Sequence, residues 1–295
     1  MIEAMSEPQA EHLSERSDPS ALRWLIGVEL ANYRKQSGLS LAQVSQLSGI
    51  TKPKLGNMEA GRFQQYPDDI ATVLRVYGVA ERDIDRLCAL AGSSDRRAWW
   101  APWSHVVPDW VQTFVGLEGL ATSEFVYEPT IVPGILQVED YAEELTRATG
   151  FVRSDHHERF VSFRLARAER LTRPKPLHVH AVVSESALTL RVGSRATRNA
   201  QYHHLLALAA LPNVVIQVVR PEAGPHAAAT GPFYLFNFEL ARPIGYVELL
   251  DGAVYVQDVD QIGTYRMAAD SVVHAALSPT DTVDFIHSLI SGNGD

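Results

Sequence analysis

The chain has 295 residues, 46% of them hydrophobic, enough to bury two cores and to exclude a disordered or fibrous protein. Its net charge of −9 argues, taken whole, against a nucleic-acid binder. The single cysteine, Cys88, excludes an intrachain disulfide and fits a reducing cytoplasm, and no run approaches the roughly 18 apolar residues of a membrane span. Residues 1–19 are acidic and polar and are expected to form a disordered tail. A helix is predicted from Ser20 to Gln36, with Leu22, Leu25, Ile26, Leu30 and Tyr33 as its apolar stripe. From Gly38 to Arg62 the spacing predicts two short helices crossing through a tight turn. Leu41, Val44 and Leu47 fall at helical spacing, Gly49 supplies the left-handed residue that ends the first helix, and Ile50 packs into the angle. Thr51 is placed as N-cap of the second helix, with Lys52 and Pro53 in its first turn and Leu55 and Met58 facing inward. Asp68 to Tyr77 and Ala80 to Ala91, separated by Gly78, read as two more helices.

These residues resemble an Xre-type helix-turn-helix domain, the five-helix module of phage-repressor-like proteins. The resemblance rests on Leu39-Ser40, Ser48-Gly49-Ile50-Thr51, Leu55 and the ending Met58-Glu59-Ala60-Gly61-Arg62. It implies that Lys52, Pro53 and Asn57 reach base edges in the major groove and that Lys54 is placed for phosphate; Thr51 and Arg62 complete the candidate DNA-contacting set. It also implies an internal ion pair between Arg34 and Glu59. Leu41 departs from the pattern, standing where many members carry a phosphate-anchoring glutamine.

Charge is unevenly distributed. Residues 1–19 carry net −4, residues 20–92 net +2 and residues 93–295 net −7. Within residues 20–66 six basic side chains face two acidic ones, so the positive field sits on the motif. So few cations imply weak, salt-dependent binding by one copy, and hence a homodimer on a pseudo-palindromic operator of double-stranded DNA.

A Trp-rich linker is expected over 93–107 and an α+β domain over 108–292, so that the domain of 20–92 is all-α and the second carries a largely antiparallel sheet. Helices are predicted at Pro108–Gly119, Val138–Thr149, Ser154–Leu171, Thr197–Ala209, Val259–Ala276 and Thr280–Ser291. Strands are predicted at Ser123–Tyr127, Leu177–Val183, Val214–Val219, Phe233–Phe238, Gly245–Leu250 and Ala253–Val256, the last two forming a hairpin around Asp251-Gly252. The helix at 154–171 carries Arg159, Arg164, Arg167, Arg170 and Arg173.

A second resemblance covers Trp99 to Ile290. WWAPW, GLEGLATSEFVYEPTIVPGILQVEDYA, FRLARAERLTR, LPNVVIQVV, GPFYLFNF, YVELLDGAVYV and AALSP occur in the order found in actinobacterial antitoxin-like regulators of the WhiJ-like group. The resemblance implies a transcriptional regulator, often encoded beside a small partner protein, and carries no catalytic residues with it.

The residues offer little for catalysis. His178 and His180 share a strand face near Glu185 but lack a third ligand at an expected spacing, and Ser184, Ser186 and Ser194 lack a nucleophile elbow, so no enzyme, metal or cofactor is expected. Glu118, Glu124, Glu128 and Glu139 are read as solvated or paired to the Arg-rich helix. Trp99, Trp100 and Trp103, with Val132, Pro133 and Leu136, form a candidate partner or ligand surface, internal packing being the plainer account of the tryptophans. Two regulator readings result: the second domain dimerises and takes up a small partner protein, or it holds a small-molecule effector. A DNA-tethered metal enzyme is the third.

Overall fold

A computed structural model describes residues 18–92 and 98–292. The expected tail therefore lies almost wholly outside the described residues, as does the start of the expected linker. The chain forms two compact units. One gathers the described residues of Met1–Pro102 with Val111–Ala121 and Asn237–Pro243; the other holds Trp103–Trp110, Thr122–Phe236 and Ile244–Asp295. A helix and a seven-residue segment from beyond the linker thus cluster with the N-terminal unit, where the sequence suggested one break.

The first unit contains helices α1 (Pro19–Ser37), α2 (Leu41–Ser48), α3 (Lys52–Glu59), α4 (Pro67–Val76) and α5 (Glu81–Gly92), followed by α6 (Asp109–Leu120). Asp18 caps α1, its carboxylate accepting from the backbone N–H groups of Ser20 at 2.8 Å and Ala21 at 3.0 Å. The same carboxylate accepts from the Trp100 indole. Every residue from Leu25 to Leu30 is buried, so α1 is surrounded on all sides and serves as the axis of the unit. Around it pack Val44, Leu55, Met58, Ile70, Leu74, Ile84 and Leu87.

Helix α3 is set on α1 by backbone contact. A Cβ at Gly27 would stand 2.5 Å from the carbonyl oxygen of Glu59 and 2.9 Å from that of Met58. Gly61, at φ +62°, approaches Arg23 and Trp24 as closely. Gln65 closes the seam, its amide donating to the carbonyls of Arg23 at 2.9 Å and Met58 at 2.8 Å.

The second unit is built on a six-stranded sheet of order β3-β2-β1-β4-β5-β6. Its strands are β1 (Ser123–Glu128), β2 (His178–Ser184), β3 (Val214–Val219), β4 (Phe233–Asn237), β5 (Ile244–Leu249) and β6 (Gly252–Val256). The sheet is mixed. The antiparallel pairing expected from the sequence is found in β4, β5 and β6, whereas β1, β2 and β3 run parallel. The cause lies in the connections: α7 (Glu139–Thr149) and α8 (His157–Ala168) carry the chain from β1 to β2, and α9 (Glu185–Thr189) and α10 (Arg195–Ala209) carry it from β2 to β3. The β5–β6 hairpin closes with Leu249 opposite Gly252, which puts the two-residue turn on Leu250-Asp251.

Two-residue alternation sorts the side chains into two faces. Phe125, Tyr127, Val182, Phe233 and Leu235 form an apolar core with Ile262, Ala269 and Val272 of helix α11 (Val259–Ala275). The opposite face carries Glu124 and Glu128 of β1, Tyr234 of β4, and Tyr246 and Glu248 of β5, with Tyr234 directly across from Tyr246. Helix α12 (Pro279–Gly292) packs against α10 and β3.

Gly27→Ala tests the seam. Helix propensity favours alanine by about 1 kcal/mol, but the clash is with backbone that cannot rotate away and costs about 1–3 kcal/mol or more. The variant is expected to lower the thermal midpoint of the N-terminal unit, read by helical circular dichroism; a raised midpoint would show that the two helices can separate freely.

Candidate functional site

Helices α2 and α3 meet through Gly49, whose φ of +73° lets its N–H bond to the carbonyl of Ser45 at 3.1 Å. The Ser48 hydroxyl accepts from the N–H of Ile50 at 3.2 Å, which tightens the corner. Helix α2 begins in a capping box: Ser40 Oγ accepts from the Gln43 N–H, and Gln43 Oε1 accepts from the Ser40 N–H. Of the apolar trio expected inside, Val44 is fully buried while Leu47 is 65% exposed. Steps of three residues rotate by 60° each way round a helix, so a two-turn helix cannot keep three such residues on one narrow face.

Helix α3 presents its N-terminus to solvent. Thr51, Lys52, Pro53 and Lys54 are exposed, Asn57 is half-buried one turn on, and Arg62 is exposed beyond the helix. Leu55 and Met58 are buried beneath them. Thr51 occupies the N-cap position, yet its hydroxyl makes no cap bond, so the first-turn N–H groups are open to an acceptor. Two cationic side chains, a half-buried amide and free backbone donors on one surface suit an anionic, base-lined groove. Lys54 Nζ meets the Asp69 carboxylate at 2.7 Å, so this cation already has an internal partner.

The Arg34–Glu59 pair is a fork: Nε donates to Oε1 at 2.6 Å and Nη2 to Oε2 at 3.0 Å, while Nη1 donates to the Leu39 carbonyl at 3.0 Å. One guanidinium thus ties α1 to the last turn of α3 and to the loop before α2. Sequence reading did not single out Gly27, Gln43, Gln65 or Asp69. A glycine inside an apolar helix was the one available signal of a close backbone approach.

Four of the six residues of the proposed tryptophan and loop surface are buried, while Trp99 and Trp103 are half-buried. Val132, Pro133 and Leu136 are buried, and Trp100 is 8% exposed with its indole on Asp18. Trp99 donates to the Val115 carbonyl at 3.3 Å, and the Trp103 ring packs 6.1 Å from that of Phe163. The indoles of Trp99 and Trp100 thus satisfy their N–H groups inside their own unit, as internal packing requires. His180 is likewise structural: Nε2 lies 2.7 Å from Gln217 Oε1 and the ring sits edge-on to Phe125.

Of the four glutamates read as solvated or paired to the Arg-rich helix, three are buried rather than solvated. Glu118, Glu124 and Glu128 are 0%, 1% and 8% exposed, and only Glu139 is open. Glu124 and Glu128 alternate with Phe125 and Tyr127, a pattern that reads as polar-out when both faces are in fact covered. Burial pushes the Glu128 carboxyl up to about 7, against partial relief from the Thr130 hydroxyl at 3.0 Å. Arg164 and Arg167 of helix α8 act on this side of the sheet, where both charges reach Glu248, and burial, with the like charge of Arg167, lowers Arg164 to about 10. Arg164 Nη1 donates to Gln137 Oε1 at 2.9 Å.

Residues 25–98 match the family described as Helix-turn-helix domain, and residues 111–288 match the one described as Domain of unknown function (DUF5753). No curated protein and no solved structure matches the chain. Among the described residues no helix is long and apolar enough to cross a membrane.

Glu128 makes stability depend on pH with a definite sign. Its carboxyl binds a proton more tightly folded (about 7) than at its ordinary value of 4.5, so stability is greatest in acid and declines as pH rises between those values. Glu128→Gln is expected to remove that decline: no difference from the parent below about pH 4.5, and a gain of about 1–3 kcal/mol at about pH 8 by denaturant unfolding. An equal offset at both pH values would count against a buried, neutralised acid.

Proposed function

From a chain that belongs to the DUF5753 family and carries a helix-turn-helix domain ahead of it, we propose a sequence-specific, DNA-binding transcriptional regulator of the Xre type. The observation that carries this reading is the exposed run Thr51–Lys54 at the N-terminus of α3, held on α1 by glycine contact and the Arg34–Glu59 fork. Lys52, Pro53 and Asn57 read base edges; Lys54 and Arg62 serve the phosphates. The protein works as a homodimer on a two-fold operator, because a single copy offers few phosphate contacts. The second unit, of the WhiJ-like antitoxin-like type, takes up a small partner protein that modulates binding. No catalysis is assigned to it.

A small-molecule effector is the second reading. It is favoured by the charged and aromatic side chains enclosed against one sheet face, where a sheet built only for stability would carry apolar packing.

Selection of DNA fragments by the purified protein, with and without its encoded neighbour, tests operator, symmetry and partner together. On the selected site Lys52→Ala and Asn57→Ala should each cost about 1–3 kcal/mol. Full sequence-specific binding by the double variant would sink the recognition-helix assignment. Asp69→Asn, which releases Lys54 from its internal carboxylate, is expected to tighten binding a few-fold at low salt, an effect that fades as salt rises. Unchanged affinity would place Lys54 away from the backbone.

A further inference from the structure

The two ends of the sheet are finished differently. At β3 the outer edge is closed from within the chain: Leu277 donates its N–H to the Val218 carbonyl at 2.8 Å, the Val218 N–H is taken by Thr282 Oγ1 at 3.1 Å, and the Gln217 amide donates to the Leu277 carbonyl at 2.8 Å. At the other end β6 has β5 on one side and no further strand among the described residues.

Edge strands are ordinarily guarded by a charge, a proline or a bulge. Strand β6 has none of them: Gly252-Ala253-Val254-Tyr255-Val256 is uncharged, and its register with β5 runs unbroken. Apolar side chains gather at this end instead, for Leu249, Leu250, Val254 and Val259 are each between 48% and 88% exposed. Val254 lies on the same sheet face as Val256, which belongs to the buried core, so that face runs on into solvent at the edge.

The ladder decides which main-chain groups look outward. The two-residue turn makes Leu249–Gly252 a hydrogen-bonded pair, and alternation makes Val247–Val254 and Gly245–Val256 the next ones. The main-chain N–H and C=O of Ala253 and Tyr255 therefore point away from β5, in the plane of the sheet, while the Tyr255 ring stays 5.3 Å from that of Tyr246. Two copies of such a strand match when laid antiparallel about Val254. Ala253 of each then exchanges both main-chain bonds with Tyr255 of the other, and the two Val254 side chains meet in the closer, non-hydrogen-bonded pair between. The flanks agree with the same axis. Leu249 and Val259 stand five residues to either side of it and come level with each other, Asp251 comes level with Gln257, and Asp258 with Leu250, so no carboxylate is set opposite another.

We propose that β6 is a dimerisation edge, pairing antiparallel about Val254 with β6 of a second copy of this chain and joining two six-stranded sheets into one. The proposal rests on the homodimer reading above and gives it a surface. Any extended strand can satisfy a ladder, but apolar flanks matched about one axis are a property of self-pairing.

A seam this short is expected to dissociate at about micromolar concentration, so sedimentation of the full chain without DNA across that range should show a monomer–dimer transition. Val254→Lys, which sets two like charges together at the axis, should weaken the dimer about tenfold or more. Phe151→Lys, at a more exposed apolar position between α7 and α8, should leave it unchanged. Val254→Cys should give a covalent dimer on mild oxidation, because Cβ atoms in such a pair stand about 4.5–5.5 Å apart. Asp251→Cys should not link to itself, its two copies lying about 20 Å apart, and nor should the parent, whose one thiol is Cys88. A chain that stays monomeric throughout, leaving the edge to a different partner, or self-linking by Asp251→Cys in place of Val254→Cys, would overturn the proposal. A dimer that survives Val254→Lys at full strength would overturn it too while leaving the homodimer reading intact; that reading falls only if the operator-bound protein is also a monomer.

Discussion

A carboxylate buried to 1% exposure, within the run Leu25–Leu30 of α1 that is buried throughout, organises the first unit. Glu29 Oε1 accepts from the backbone N–H of Arg242 at 2.7 Å, and Oε2 faces the guanidiniums of Arg242 at 3.4 Å and Arg86 at 3.6 Å. The last two distances are charge–charge contacts rather than hydrogen bonds. Arg86 also donates to the Leu240 carbonyl, and Arg242 lies 4.7 Å over the Tyr33 ring. An uncompensated charge here would cost several kcal/mol, so α1 is stable in this position only with both α5 and the Asn237–Pro243 segment in place. Two residues from Glu29 lies Gly27, the seat of α3. Whatever fixes α1 therefore fixes the angle at which the recognition helix is presented.

That presentation is rigid for reasons that are mostly steric. Backbone against backbone at Gly27 and Gly61 leaves no side chain to repack, and the Arg34–Glu59 fork adds direction to the contact. Base reading tolerates little misplacement, because a bidentate contact is lost when its donor swings aside. The exposed side chains at the start of α3 can stay long and mobile as long as the helix beneath them does not.

The parts of the structure legible in the sequence were those set by local rules. The turn at Gly49, the buried pair Leu55 and Met58 and the β5–β6 hairpin follow from periodicity or turn chemistry, while the Arg34–Glu59 pairing was implied only by the Xre resemblance. What stayed hidden depends on partners far along the chain. Glu29 looks like any polar residue of a surface helix until Arg242, 213 residues away, is beside it. Glu124 and Glu128 alternate with aromatics as a half-exposed strand would, and only the cover over both faces shows otherwise. The parallel half of the sheet had only a faint mark in the nearly continuous apolar run of Val214–Val219, interrupted by Gln217, and strand direction is decided by the crossover helices rather than by the strands. Lys54 illustrates a further limit, since a cation placed for phosphate and one already satisfied by Asp69 have the same sequence signature.

The segment Asn237–Pro243 joins two neighbouring strands of one unit while belonging to the other. The first unit is consequently discontinuous in the gene: a fragment ending at residue 102 would hold all five repressor-like helices and still lack α6 and the two groups of Arg242 that face Glu29. Such a fragment would keep the fold's outline and Arg86, and lose the other of the two counter-charges of Glu29. The order of assembly is affected as well, because the N-terminal unit can complete itself only after the ribosome has passed residue 243. A helix-turn-helix unit closed by a loop drawn from the sheet cannot be complete until most of the second unit has been made.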